Sequence, residues 1–373
     1  MSMIIEQVLG EEAESRKEEI HDLRNIPVDL MNKVKEAGLV KLWAAKKYGG
    51  QEAPVSRVAE VLQTLAYHNG SLAWVTGVTG CSALFSGFLE ESKAEVLYTD
   101  PMTMIGGFAG PAGLATQVDG GLKVSGHWSW GSGITHCTHI VGGAMIKKEE
   151  DILGTALIFF LPEEIEMIDN WQVLGLRGTH SIDYKVDDLF IPGDRWSWFP
   201  IKKAVIDQPL YRFSFLGALS ISIASVGLGI AKRALDELVS FSKLKSPFGQ
   251  GKPLSARPEY QMQIAEVYGK YLAAAALFKE TISTAEQEVL TGPCSIEMKA
   301  NIRLASAQAT DLAHQAVQGA YKIAGGSSIW DNSKFSELLR DMNVVTQHGM
   351  VSRGNMRTAG AVLLGNKVPE VML

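Results

Sequence analysis

From residue 211 onward the sequence carries four long helical patterns, at 211–244, 258–290, 295–324 and 333–364. Ser246-Pro247-Phe248-Gly249, Gly292-Pro293 and Gly325-Gly326 punctuate them. Proline removes the N–H that would continue a helical ladder, and glycine enters the left-handed conformation that ends one. Four helices of this length, joined by short turns, predict an antiparallel bundle.

Upstream, the signals change twice. Pro27 opens a stretch with Leu30, Met31, Val34 and Ala37 at helical spacing, and Gly38 stands where a C-cap belongs. Val55, Val58, Val61, Leu62 and Leu65 form another stripe, which His68-Asn69-Gly70 ends, with Ser71 expected to cap the next helix. That helix, 71–89, is free of charge but rich in glycine, serine and threonine, which predicts a buried helix and not a membrane span. Near Met102 glycines cluster, and Asp119-Gly120-Gly121 lies between two short runs as a hairpin signal. Ala156 to Leu161 has the length of a strand, and Ile182-Asp183-Tyr184-Lys185-Val186-Asp187 alternates with period two, as a half-buried strand does. The expectation is an α+β chain with a helical domain at 1–102, a β domain at 103–203 and a four-helix bundle at 204–373.

Charge and cysteine content exclude several classes. The net charge is −6 with no basic stripe, so nucleic acid is not an expected partner. Residues 1–10 lack the cationic start and apolar run of a signal peptide. Cys81, Cys137 and Cys294 are odd in number and far apart, which predicts free thiols in a cytoplasmic protein and no metal site. Gly227-Leu228-Gly229-Ile230-Ala231-Lys232 lacks a third glycine and sits inside a helical pattern, so no nicotinamide site is visible.

Several segments carry groups suited to chemistry. Gly126-His127-Trp128-Ser129-Trp130-Gly131-Ser132-Gly133 combines aromatic rings with a hydroxyl between glycines; as a plain structural element it is an aromatic strand in a core. Trp171-Gln172-Val173-Leu174-Gly175-Leu176-Arg177-Gly178-Thr179-His180-Ser181 reads as a glycine loop with hydroxyl donors, or as a tight turn capped by Arg177. Tyr211-Arg212-Phe213 and Lys245-Ser246-Pro247-Phe248-Gly249 place cations at helix ends, where an exposed side chain is the alternative. Arg340-Asp341-Met342-Asn343-Val344-Val345-Thr346-Gln347-His348 follows the turn at Gly325-Gly326 and places His348 two helical turns after Asp341.

Together with the order of domains, these segments resemble the acyl-CoA dehydrogenase superfamily over essentially the whole chain. The histidine near the C-terminus, where dehydrogenases of this superfamily place a carboxylate, resembles its two-component flavin-dependent monooxygenase branch. The resemblance implies a β-barrel-like central domain, a homotetramer, and a separate NAD(P)H-dependent flavin reductase. It also implies reduced flavin (FADH2 or FMNH2) bound between the β domain and the bundle, reacting with O2 to a C4a-hydroperoxide. A small aromatic or heteroaromatic molecule, a phenol or an indole, would be hydroxylated.

By that correspondence Ser132 bonds the flavin N5 or O4 edge, Trp130 packs on the ring, and Gly133, Arg177, Thr179, Ser181, Gly325 and Gly326 approach the cofactor. Lys245 and Phe248 stand where the superfamily holds the adenine half of FAD, though lysine lacks arginine's planar fork. Arg212 would favour the anionic reduced flavin, and His348 would orient or deprotonate the substrate. Trp74, Cys81 and Ser82 would line the substrate site, and no histidine appears between Gly77 and Ser82, where several hydroxylases of the branch carry one. The rival readings are an acyl-CoA dehydrogenase or oxidase, for which Glu337 and Asp341 come too early, and a helical scaffold that binds no flavin.

Overall fold

The computed structural model describes residues 4–149, 151–199, 203–246, 251–369 and 372–373. The described chain begins with α1 (Ile5–Ser15), α2 (Lys17–Leu23), α3 (Val28–Glu36), α4 (Val55–His68), α5 (Gly70–Ser82) and α6 (Glu91–Tyr98). It continues through β1 (Ile105–Val118), β2 (Gly121–Gly131), β3 (His139–Lys148), β4 (Asp151–Phe160), β5 (Glu166–Ile168), β6 (Ile182–Pro192) and β7 (Trp196–Phe199). The last block comprises α7 (Pro209–Arg212), α8 (Phe215–Leu244), α9 (Pro258–Thr291), α10 (Ile296–Ala324), α11 (Lys334–Val345) and α12 (Arg353–Leu363).

The apolar stripes read from the sequence face one continuous core. Leu30, Met31 and Val34 of α3 are fully buried, as are Val61, Leu62 and Leu65 of α4. Gly38 adopts φ 70 after α3, as a left-handed C-cap requires. The cap of α5 is Asn69 and not Ser71: the Asn69 side chain accepts the Leu72 N–H at 2.9 Å, and the helix is already under way at Gly70. Helix α5 then stops at Ser82, where a 3-10 turn over Ala83–Gly87 takes the chain toward α6.

The β block is one mixed seven-stranded sheet, in the order β5-β6-β2-β1-β3-β4-β7. The hairpin at Asp119-Gly120 joins β1 and β2, and β3 runs parallel to β1 on its other edge. β5 and β7 are edge strands, so the expected barrel-like domain is an open sheet in its hydrogen bonding. Its centre is Trp128, which is fully buried, stacks on Tyr184 and donates its indole N–H to Gly143 O at 2.8 Å. A Cβ at Gly113 or Gly126 would lie 2.4 or 2.5 Å from that indole, which explains the glycine at each position.

Two of the four expected long helices are interrupted. The first breaks at Phe213-Ser214, where the Ser214 hydroxyl accepts from Gly217 N and starts α8 afresh. The last divides into α11 and α12, with residues 346–352 between them. Helix α8 is long and apolar enough to cross a membrane by length and composition, but it is mostly buried among α4, α5, α10 and α11.

Candidate active site

Helix α5 is the rod along which the candidate groups are arranged. Its first residue, Gly70, lies against Asp341 of α11, Leu176 and Ile230. One turn on, Trp74 donates its indole N–H to Ser132 Oγ at 3.1 Å, and the His348 ring meets the same indole edge-on, with 5.4 Å between centroids. Two turns further, Cys81 Sγ lies 3.2 Å from Ser222 Oγ of α8.

Ser132 begins a chain of hydroxyls. Its Oγ is 2.7 Å from Ser181 Oγ, which is 2.7 Å from Thr179 Oγ1, and all three side chains are buried. Three hydroxyl protons serve two hydroxyl–hydroxyl contacts, so one donor is left over. The loop that carries Thr179 and Ser181 also holds two buried polar atoms, Arg177 Nε and His180 Nδ1, without a partner among the described residues. Leu176, His180 and Trp130 adopt φ of 49, 42 and 63, conformations that cost a non-glycine residue energy and that collect at functional sites.

His348 does not share a continuous helix with Asp341. It follows the break after α11 and caps the 3-10 turn Gly349–Val351, its Nδ1 accepting the Met350 N–H at 3.1 Å. Burial, and after it the charge of Arg303, push its pKa down to about 4. Asp341 is not paired with Arg340: its Oδ1 accepts the Leu176 N–H at 2.6 Å, while Arg340 bonds Ser336 Oγ and Asp331 O. Burial raises the Asp341 pKa to about 7. The two residues still end up one turn apart, along α5 and not along their own helix.

The structure separates some of the other expected members from this cluster and keeps Trp130 and Gly133 beside Ser132. Arg212 pairs with Asp207 at 2.6 Å and lines a cavity of about 970 Å³ with Phe85, Phe88 and Phe215, past the far end of α5 from Gly70. Trp130 is 67% exposed and touches Phe108 edge-on, so its face is open and not packed. Gly133 adopts φ 65, and a Cβ there would sit 2.5 Å from Val75. Gly325 and Gly326 are exposed with open space around them, as is the Lys245 side chain. Phe248 lies outside the described residues. Cys81 and Ser82 are buried, Cys81 against Ser222 and Ser82 with its carbonyl accepting from Tyr98 OH. Among the described residues no cluster of side chains could hold a metal ion.

Two residues without any local signal complete the site. Arg303 of α10 is 4% exposed and bonds Leu216 O, Ser220 Oγ, Met350 Sδ and Asn355 Oδ1. Asn355 of α12 in turn donates to Gly349 O at 2.9 Å. Both grip the turn that carries His348. A cation in an alanine-rich stretch of α10 is the one trace they leave in the sequence.

These features fit a flavin. The spare hydroxyl donor suits the N5–O4 edge of its ring system, the open Trp130 face suits a planar partner, and the unpartnered Arg177 and His180 atoms suit a polar ligand.

Comparison with known proteins gives the same answer. Residues 221–353 match the acyl-CoA dehydrogenase, C-terminal domain family. The chain is 29% identical over 347 residues to the indole-3-acetate monooxygenase of Pseudomonas putida, covering 92% of this chain and 88% of that one. It is 26% identical over 349 residues to the oxygenase subunit HsaA, a flavin-dependent monooxygenase of Rhodococcus jostii, covering 89% and 90%. The fold matches XiaF from Streptomyces, solved with FADH2 and glycerol, at a TM-score of 0.91 and 21% identity over 98% of this chain and 96% of that one. The chain thus carries an acyl-CoA dehydrogenase C-terminal domain, and the relatives it resembles over most of its length are oxygenase components of flavin-dependent monooxygenases.

Proposed function

We propose that this protein hydroxylates a small aromatic or heteroaromatic molecule of the indole or phenol class, using O2 and reduced flavin supplied by a separate NAD(P)H-dependent reductase. The bound reduced flavin supplies two electrons and activates O2; one oxygen atom enters the substrate and the other leaves as water. The observation that carries this reading is the join between Trp74, Ser132, Ser181 and Thr179 on one side and His348 on the other. The hydroxyl chain would offer a donor to a bound flavin, and the buried setting of Trp74 and Ser132 supports the exclusion of water there. His348 meets the same indole edge-on, with 5.4 Å between ring centroids, which supports a role for it toward a ligand bound beside Trp74.

The dehydrogenase reading needs a carboxylate free to take a proton from an acyl chain. Between Lys334 and Leu363 the acids are Glu337 and Asp341, engaged by Lys334 at 2.8 Å and by Leu176 N. The substrate side of α5 has Cys81 bonded to Ser222, so a ring that needs an imidazole from this helix is disfavoured against an indole-like one. The exposed Met262, Tyr268, Leu272 and Leu277 on α9 support a homotetramer, and the three unpaired cysteines support a cytoplasmic location.

The test is a coupled reaction with a flavin reductase, NADH, isotopically heavy dioxygen and indole-3-acetate or a simple phenol. We expect a product heavier by one labelled oxygen, and Ser132→Ala to divert most of the electrons to hydrogen peroxide. Bleaching of added flavin by an acyl-CoA, without labelled product, would return the protein to the dehydrogenases.

A further inference from the structure

We infer that Arg303 and Asn355 position His348 so that it meets the substrate as a hydrogen-bond donor through Nε2, and not as a base. This rests on the oxygenase reading only for what the donor is aimed at. A backbone N–H can only donate, so the contact from Met350 N fixes Nδ1 as an acceptor with a free lone pair. A neutral imidazole with Nδ1 so engaged carries its proton on Nε2. That nitrogen has no lone pair to offer as a base.

The surroundings keep the ring in this form. Protonating Nδ1 would set two donors against each other at 3.1 Å. Arg303 faces the ring from α10 and has no carboxylate partner among the described residues. α5 presents Trp74 to the ring, Ser132 just past β2 accepts from that indole, and α8 presents Ser220 through Arg303. Arg353 and Arg357 of α12 are exposed, and Asp341 of α11 is turned to Leu176 N. No acid therefore offsets the Arg303 charge at His348, in agreement with its lowered pKa.

Arg303 and Asn355 also fix where Nε2 points. Arg303 bonds Met350, the residue whose amide holds Nδ1, and Asn355 ties Arg303 to Gly349 O. The 3-10 turn cannot rotate without breaking both. The substrate group that His348 meets is accordingly an acceptor, a phenolate or carboxylate oxygen, and not an N–H or O–H that must lose its proton.

The first arm of the test needs neither flavin nor oxygen. Nitrogen NMR of histidine-labelled protein, with His348→Gln to assign the signal, should show Nε2 protonated and Nδ1 bare from pH 8 down to about 5. Arg303→Met should move the ring titration upward toward the ordinary histidine value of about 6.5, and Arg303→Lys should move it less. A ring protonated on Nδ1 at neutral pH would overturn the inference, and the wild-type protein and Arg303→Lys report even if Arg303→Met does not fold. The second arm is turnover. His348→Ala should lose about 100-fold in kcat/KM, the usual cost of one donor to a developing charge, while His348→Gln, which restores a donor, should recover most of it. If both variants are equally poor and wild-type kcat falls with a pKa near 6.5, His348 is a base. Labelled dioxygen missing from the product in every variant would defeat the oxygenase reading and leave the first arm standing.

Discussion

Asp341 shows how one buried carboxylate can serve as a latch. Its carboxylate holds Leu176 N–H, and with it the loop that supplies Thr179 and Ser181. Burial raises its pKa from 3.8 to about 7. Between those values the folded protein binds a proton that the unfolded chain has released, so the residue costs stability as pH rises through the window. Asp341→Asn keeps an acceptor for Leu176 and cannot ionise. We expect it to be more stable than wild type at pH 8 by on the order of 1–3 kcal/mol, with the difference gone at pH 4, as measured by urea unfolding at both values. No gain at pH 8 would mean that Asp341 is already solvated as a carboxylate. His348 and Ser132 were legible through the family resemblance, because each sits in a short segment with characteristic neighbours. Arg303 and Asn355 were not, because Arg303 finds its side-chain partners Ser220, Met350 and Asn355 at least 47 residues away along the chain, in α8, the turn before α12 and α12 itself. The serine side of the site came from the turn after β2 and the 171–181 loop, whereas the histidine side needed three helices.

Among the helices and strands, α5 has the most to do and the weakest amphipathic pattern. It is packed by α4, α8 and β1, so apolar residues are needed on nearly every side, and periodicity cannot tell which face meets which neighbour. Its start depends on Asn69, and the register from Gly70 to Trp74 follows from that cap. Asn69→Ala should cost about 1 kcal/mol, read as a lower urea midpoint with an unchanged slope. It should also loosen the Trp74–Ser132 contact, seen as a change in near-ultraviolet circular dichroism. An unaltered midpoint would show that packing alone sets the start of the helix. The division of α11 from α12 escaped the sequence reading because residues 346–352 contain no proline and a single glycine. What holds the turn after α11 is a long-range bond from Arg303 to Met350 together with the bond from Asn355 to Gly349 O.

The three blocks of the molecule share one core, and charged pairs fasten the edges. Arg233 of α8 bonds Glu14 of α1 at 2.5 and 3.0 Å, and Arg24 bonds Asp169 ahead of the 171–181 loop at 2.6 Å. Helix α9 stands apart from this pattern. Met262, Tyr268, Leu272 and Leu277 are exposed on it, more apolar surface than a surface helix ordinarily shows. If those residues face a second copy, Leu272→Glu with Leu277→Glu should lower the particle mass in light scattering while leaving the far-ultraviolet spectrum intact. A wild-type protein that is monomeric at micromolar concentration would exclude the tetramer.

Local rules in the chain were enough to establish the order of helices and strands and the glycine-rich β hairpin, and the motifs carried a family resemblance. Those features depend on spacing and on residue type over a few neighbours, which is the range over which backbone preference acts. The position of His348 at a turn, the service of Asp341 as a loop anchor, the exclusion of Arg212 from the site and the isolation of Arg303 from any carboxylate arose from packing. Each depends on which distant backbone or side-chain atom fills the space beside it, and that is set when α5, α8, α10 and the sheet close on one another.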